Sequence, residues 1–159
     1  MTKRLCLLFT GIALLLVAVW WAFWPEHYII ITDITSRKVI MEKPVLPGDD
    51  LWVVFINSVE KLPVGDHFEI NHDYHITFVE TIYMAEYVGY IHQERAKEIS
   101  PGVMMIPYIN KLMDKVTFFA GYQYKHFLFF NGDLIPLYKI LHGGDLIQIK
   151  VKRRARFLK

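Results

Sequence analysis

The spacing of apolar positions changes character once along the chain, at Pro25. Before it, residues 5–24 run LCLLFTGIALLLVAVWWAFW, twenty positions without a charged side chain. At about 1.5 Å of rise per residue, a helix of that length spans roughly 30 Å, the thickness of a bilayer's hydrocarbon layer. After Pro25 the period falls to two. Tyr28–Thr32 and Lys38–Met41 flank the polar turn Thr35-Ser36-Arg37, which reads as a hairpin. Pro47-Gly48-Asp49-Asp50 makes the next turn. Leu51–Ile56 (LWVVFI) is apolar throughout, as expected of a central strand covered on both faces. Phe68–Ile70 and His75–Thr81 enclose Asn71-His72-Asp73-Tyr74 as a second hairpin. Phe127–Phe130 and Leu134–Leu137 surround Asn131-Gly132, a dipeptide that tolerates the positive φ angles of a tight turn. Gly143-Gly144-Asp145 introduces a last strand, where Ile147, Ile149 and Val151 alternate with Gln148, Lys150 and Lys152. Only Gln93–Ile99 and Pro107–Lys115 look helical, and both are short. The pattern predicts an all-β domain, a small sandwich or partly open barrel, preceded by one N-terminal transmembrane helix.

The flanks of the apolar segment sharpen that expectation. Lys3 and Arg4 precede it, which puts the N-terminus in the cytoplasm. Trp20, Trp21 and Trp24 cluster at the far end, where amphipathic rings favour the membrane interface. Pro25 stops the helix because it lacks an amide hydrogen. A cleaved signal peptide would have a core of about 7–15 residues and a small-x-small exit; the exit here is Trp-Trp-Ala-Phe-Trp. The expected organisation is a signal anchor over 1–24, an extracytoplasmic β-rich domain over 25–152 and a basic tail over 153–159. The single cysteine, Cys6, lies inside the apolar segment, so no internal disulfide braces the domain. A lipoprotein would need the apolar stretch before the cysteine rather than after it.

Charge divides unevenly. Lys150, Lys152, Arg153, Arg154, Arg156 and Lys159 crowd the last ten positions, whereas Pro25–Ile149 carries 10 basic against 16 acidic residues, a net −6. An acidic body with a basic end lacks the broad positive face of a nucleic-acid-binding domain. A basic end near an anchor suits either solvent or anionic lipid.

The chemistry-bearing stretch is Asn57-Ser58-Val59-Glu60, followed by Pro63-Val64 and Asp66, just after the most apolar strand. Polar groups at the end of a core strand can line a site because the scaffold fixes them. With Pro44-Val45, Gly48-Asp49, Phe68, Gly144-Asp145 and the closing Ile147–Val151, this order of signals resembles the bacterial family labelled domain of unknown function 1850. The likeness covers most of residues 28–151. It departs at Asn57, where the family has histidine, and at Met84–Tyr90, which replaces a glycine-rich turn. An amide neither titrates near neutrality nor ligates transition metals well, so Asn57 is neither a proton shuttle nor a metal ligand. The resemblance implies a small membrane-anchored protein associated with TAXI-type TRAP transporters, through their membrane subunits or solute-binding protein, and supplies no catalytic residue.

Read on their own, Asn57, Ser58, Glu60 and Asp66 form the candidate ligand or partner site. Ser58 lacks a nucleophile elbow, and nothing resembles a calcium loop, so Glu60 and Asp66 suit a salt bridge or turn as well as a cation. His67, His72 and His75 diverge if Ile70 pairs with His75, which argues against zinc. The aromatics Phe118, Phe119, Tyr122, Tyr124, Phe127, Phe129 and Phe130 fit a core better than a ligand box. The expectation is a non-enzymatic accessory protein without cofactor or nucleic-acid partner, the alternative a small-ligand or cation-binding module.

Overall fold

The computed structural model describes residues 2–23, 25–57, 61–84, 95–107, 109–120 and 125–155, and the side chains of these except 2–8 and 155. Helix α1 (Thr2–Ala22) is rich in leucine and alanine, which propagate a helix readily, and carries Gly11 and the β-branched Thr10, Ile12, Val17 and Val19 within it. From Phe9 onward its large side chains, Leu14, Leu15, Leu16 and Val17 among them, are exposed. Among the described residues no helix is long and apolar enough to cross a membrane. Pro25 does not merely follow the helix: it is the first residue of strand β1 (Pro25–Asp33).

The strands after it form two antiparallel sheets. In the first, β2 (Lys38–Pro44), β1, β12 (Asp145–Ala155) and β9 (Lys115–Ala120) lie side by side in that order. The second orders β11 (Asp133–Pro136), β10 (His126–Phe130), β3 (Asp50–Ile56), β4 (Pro63–Ile70), β5 (Ile76–Met84), β7 (Val103–Ile106) and β6 (Lys97–Ser100), with β8 (Lys111–Met113) also pairing β5. One core draws on both. Ile29, Ile31, Ile147 and Ile149 from the first sheet meet Leu51, Phe68, Ile76 and Leu128 from the second, all buried. The second sheet extends past the first, where Val64, Tyr83 and Ile106 form a smaller cluster.

The hairpins fall where turn chemistry placed them. Asn131 and Gly132 adopt φ of 47° and 86°, the pair of left-handed residues that a tight turn between right-twisted strands requires. At the β1–β2 turn, Asp33 accepts hydrogen bonds from the Thr35 amide at 2.9 Å, the Ser36 amide at 3.3 Å and the Ser36 hydroxyl. Burial raises the pKa of this carboxyl, but the Ser36 and Thr35 bonds outweigh burial and hold it below its ordinary value.

Four expectations are corrected. The strand buried on both faces is β1, in which Tyr28, Ile29, Ile30 and Ile31 are all inaccessible; Trp52 and Val54 of β3 are half-exposed. Ile30 lies on the outward face, paired with Glu42 on one side and Lys150 on the other. The helical reading of 93–99 and 107–115 fails at Lys97–Ser100 and Lys111–Met113, which are strands; Arg95 alone of the described residues in these segments lies in a helical turn. Pro101-Gly102 turns β6 onto β7, with φ of 72° at Gly102, and Asn110 at φ 45° breaks the second segment. Next, Ile70 pairs with Ile76 rather than His75, and a bulge between His67 and Phe68 sets His67 opposite Glu80. The chain expected as a tail from 153 is strand through Ala155, with Arg153 paired to His27 and Arg154 to Glu26.

Candidate functional site

The inward row of β12 reads Ile147, Ile149, Val151, Arg153. Beside it β1 reads Ile31, Ile29, His27. Strand alternation keeps these residues on one face, so the core face turns polar as it approaches the end that adjoins α1. There the two sheets border an open cleft of about 300 Å³ lined by His27, Asp73, Tyr74, His75, Ile76, Asp114, Val151 and Arg153, of which Asp73, His75, Asp114 and Arg153 are exposed. The size is that of small-ligand sites.

Each wall has a local cause. Asn71 accepts the amides of Asp73 and His75 at 2.9 Å each, and this capped turn presents Asp73, Tyr74 and His75 together. Tyr74 adopts φ 61°, a left-handed conformation that costs a residue with a side chain about 1–2 kcal/mol. Its ring stacks on His27, centroids 3.6 Å apart and planes within 14°. His75 Nδ1 lies 3.6 Å from Asp114, at the junction of β8 and β9. Burial, and then the neighbouring Arg153 guanidinium, lower the His27 pKa below its ordinary value, so its imidazole is neutral at pH 7. The lining therefore offers a cation from β12, carboxylates from two loops and an aromatic wall. No group of three or more His, Cys, Asp or Glu able to hold a metal occurs among the described residues.

The site expected from sequence is distributed differently. Ser58 and Glu60 lie outside the described residues, as does Trp24. Asn57 is buried at the end of β3, its amide donating to the Leu62 carbonyl at 2.8 Å and its carbonyl accepting from Lys61 at 3.1 Å. Asp66 shares that inward face, but the Phe55–Val64 row separates the two, because Val53 rather than Asn57 pairs with Asp66. That places them roughly 13 Å apart along the strand. Asp66 accepts a 2.8 Å bond from the hydroxyl of Thr81, which is fully buried. The structure does not bring Asn57 and Asp66 together.

The three histidines go separate ways. His67 lies on the outer face of the second sheet, stacked on Trp52 with centroids 4.3 Å apart, bonded to Asp50 and 3.3 Å from Glu80. His72 sits in the turn and His75 faces the cavity. The aromatic set divides as well: Phe130 is buried and Phe118 packs against the core, whereas Phe119 is 68% exposed. Tyr122 and Tyr124 lie outside the described residues. Trp20 and Trp21 are exposed on α1.

Sequence reasoning missed His27, Asp73, Tyr74, Asp114 and Arg153 because they meet only through topology. The odd-numbered row of β12 was a usable signal, since an arginine continuing a core face must stand where the core ends.

No protein-family model, curated protein or solved structure matches the chain.

Proposed function

We propose that the chain is a membrane-anchored extracytoplasmic protein, a two-sheet sandwich on one spanning helix with its N-terminus inside, that works by binding rather than catalysis. The observation carrying this reading is the exposure of apolar side chains on α1 just before Pro25 opens β1. A helix apolar all round is stable in lipid, where water cannot reach it. The described side chains begin at Phe9, but the helix itself begins at Thr2 and the sequence is uncharged from Leu5. The uncharged part of the helix, Leu5 to Ala22, covers roughly 27 Å at about 1.5 Å per residue. Alkaline carbonate extraction of cell membranes tests the anchor: the chain stays in the pellet, and release into the supernatant overturns the reading.

The partner proposed from the order of short motifs is a TAXI-type TRAP transporter, engaged through its membrane subunits or solute-binding protein. Tagged full-length chain, solubilised in mild detergent, should bring down a transporter component. Its consistent absence removes this partner and leaves the anchor standing.

The cavity favours a second reading, a membrane-proximal small-ligand module. Arg153 facing Asp73 and Asp114 suits a molecule with both anionic and cationic groups, such as a free amino acid. Thermal shift against amino acids, small carboxylates, calcium and zinc tests it, and no stabilisation by any of them refutes it.

A further inference from the structure

A second cavity, of about 490 Å³, lies where the helix meets the first sheet. Among the described residues its lining is Val19, Trp20, Phe23, Pro25 and Arg153: four apolar or aromatic residues from the helix and strand entry, and one guanidinium. The size falls within the range of ligand sites, and the composition is lopsided in a particular way. One cation in an apolar wall matches a molecule with an anionic head on a hydrocarbon body.

The charges nearby point the same way. Arg154, next along β12, is occupied by Glu42, and Glu26 accepts from the Tyr28 hydroxyl. Lys150 and Lys152 follow the opposite, outward face of the strand, with Lys115 paired to Lys150. Arg153 alone among these lines the cavity, and among the described residues its guanidinium has no hydrogen-bond or carboxylate partner. A guanidinium presents a fork of donors that fits phosphate oxygens. Trp20 and Phe23 supply flat apolar surface on the side toward the helix.

From this geometry we infer that the junction cavity holds the headgroup phosphate of an anionic phospholipid, with Arg153 on the phosphate and Val19, Trp20 and Phe23 along the upper acyl chain. The inference rests on the anchored reading, because only an anchored helix brings the cavity to headgroup depth. The lipid then acts as a wedge between helix and sheet and fixes how the domain stands on the membrane.

Native mass spectrometry of the full-length chain in detergent, with phosphatidylglycerol, phosphatidylcholine or inorganic phosphate added, tests it. One phosphatidylglycerol is retained per chain in preference to phosphatidylcholine. Arg153→Gln lowers that retention about fivefold, the effect of one basic side chain near an anionic surface. Lys152→Gln removes the same charge from the outward face and leaves retention unchanged. Equal retention of the two lipids, an equal loss in both variants, or equal binding of free phosphate overturns the inference. If Arg153→Gln unfolds, the comparison of lipids on the wild-type chain decides alone. Carbonate extraction separates the outcomes: a chain that stays in the pellet yet shows no lipid preference refutes the lipid seat and spares the anchor.

Discussion

Truncating Asp33 removes one side chain that organises a whole turn. Its carboxylate, 3% exposed, accepts three hydrogen bonds from Thr35 and Ser36. That turn is in turn tied to the start of β12: the Thr35 hydroxyl accepts from the Leu146 amide at 2.9 Å, and the Ile34 amide donates to the Leu146 carbonyl at 2.7 Å. A bond to a charged acceptor contributes about 1.5–3 kcal/mol, but Thr35 and Ser36 are exposed and recover water when the carboxylate is lost. Asp33→Ala therefore costs about 2 kcal/mol, or roughly 6 °C in melting temperature for a domain of this size. Asp33→Asn keeps an acceptor for the amides and costs about half as much. Because the folded pKa lies below the unfolded one, the contribution is fully present above about pH 4. It is lost as pH falls through the lowered folded value. Thermal unfolding of the detergent-solubilised chain, followed by near-ultraviolet circular dichroism at pH 7 and pH 3, measures both effects. An alanine variant that melts with the wild type at pH 7, or a difference between them that does not shrink at low pH, refutes the account.

Other expectations follow from single side chains. Ile149, fully buried in the shared core, loses about 2–5 kcal/mol on replacement by alanine, read as a lower urea midpoint. Gly132→Ala costs only about 1–2 kcal/mol, because its Cβ meets nothing within 4 Å and the positive φ alone opposes it; a loss near that of Ile149→Ala would contradict this. Arg153→Gln raises the His27 pKa by removing a like charge, while burial still holds it below the ordinary value; an imidazole NMR titration reports the direction. Leu15→Arg places a charge in the apolar helix at a cost of about 2.5–3.5 kcal/mol and shifts the chain toward the carbonate supernatant.

What could be read from sequence was what neighbours decide. The Asn131-Gly132 and Asn71–Tyr74 turns and the alternation of Ile147 and Ile149 with Gln148 and Lys150 depend on residues within a few positions, and the structure keeps them. The β4–β5 register was missed at the turn, where the loop takes in His75 as well as Asn71–Tyr74, and one extra residue shifts every pair that follows; the bulge at His67 then shifts the register once more. The short strands β6 and β8 were read as helix because their apolar positions are too few to show a period, although Pro101-Gly102 was a turn signal. At the site the difficulty was distance. His27, Asp114 and Arg153 come from opposite ends and the middle of the chain, and only the β1–β12 pairing and the packing of two sheets assemble them.

That same pairing governs the order in which the domain can form. As β1 emerges with Ile29, Ile30 and Ile31, hairpin closure with β2 can shield one edge at once. The other edge waits for β12, whose Ile149 meets Ile31 only after nearly the entire chain has been made. Contacts so remote in sequence close slowly, and an open apolar edge invites pairing with another chain meanwhile. The domain must therefore survive its own synthesis with its most buried strand half-dressed. A holding chaperone, or tethering that keeps copies apart, would raise its yield more than any gain in final stability.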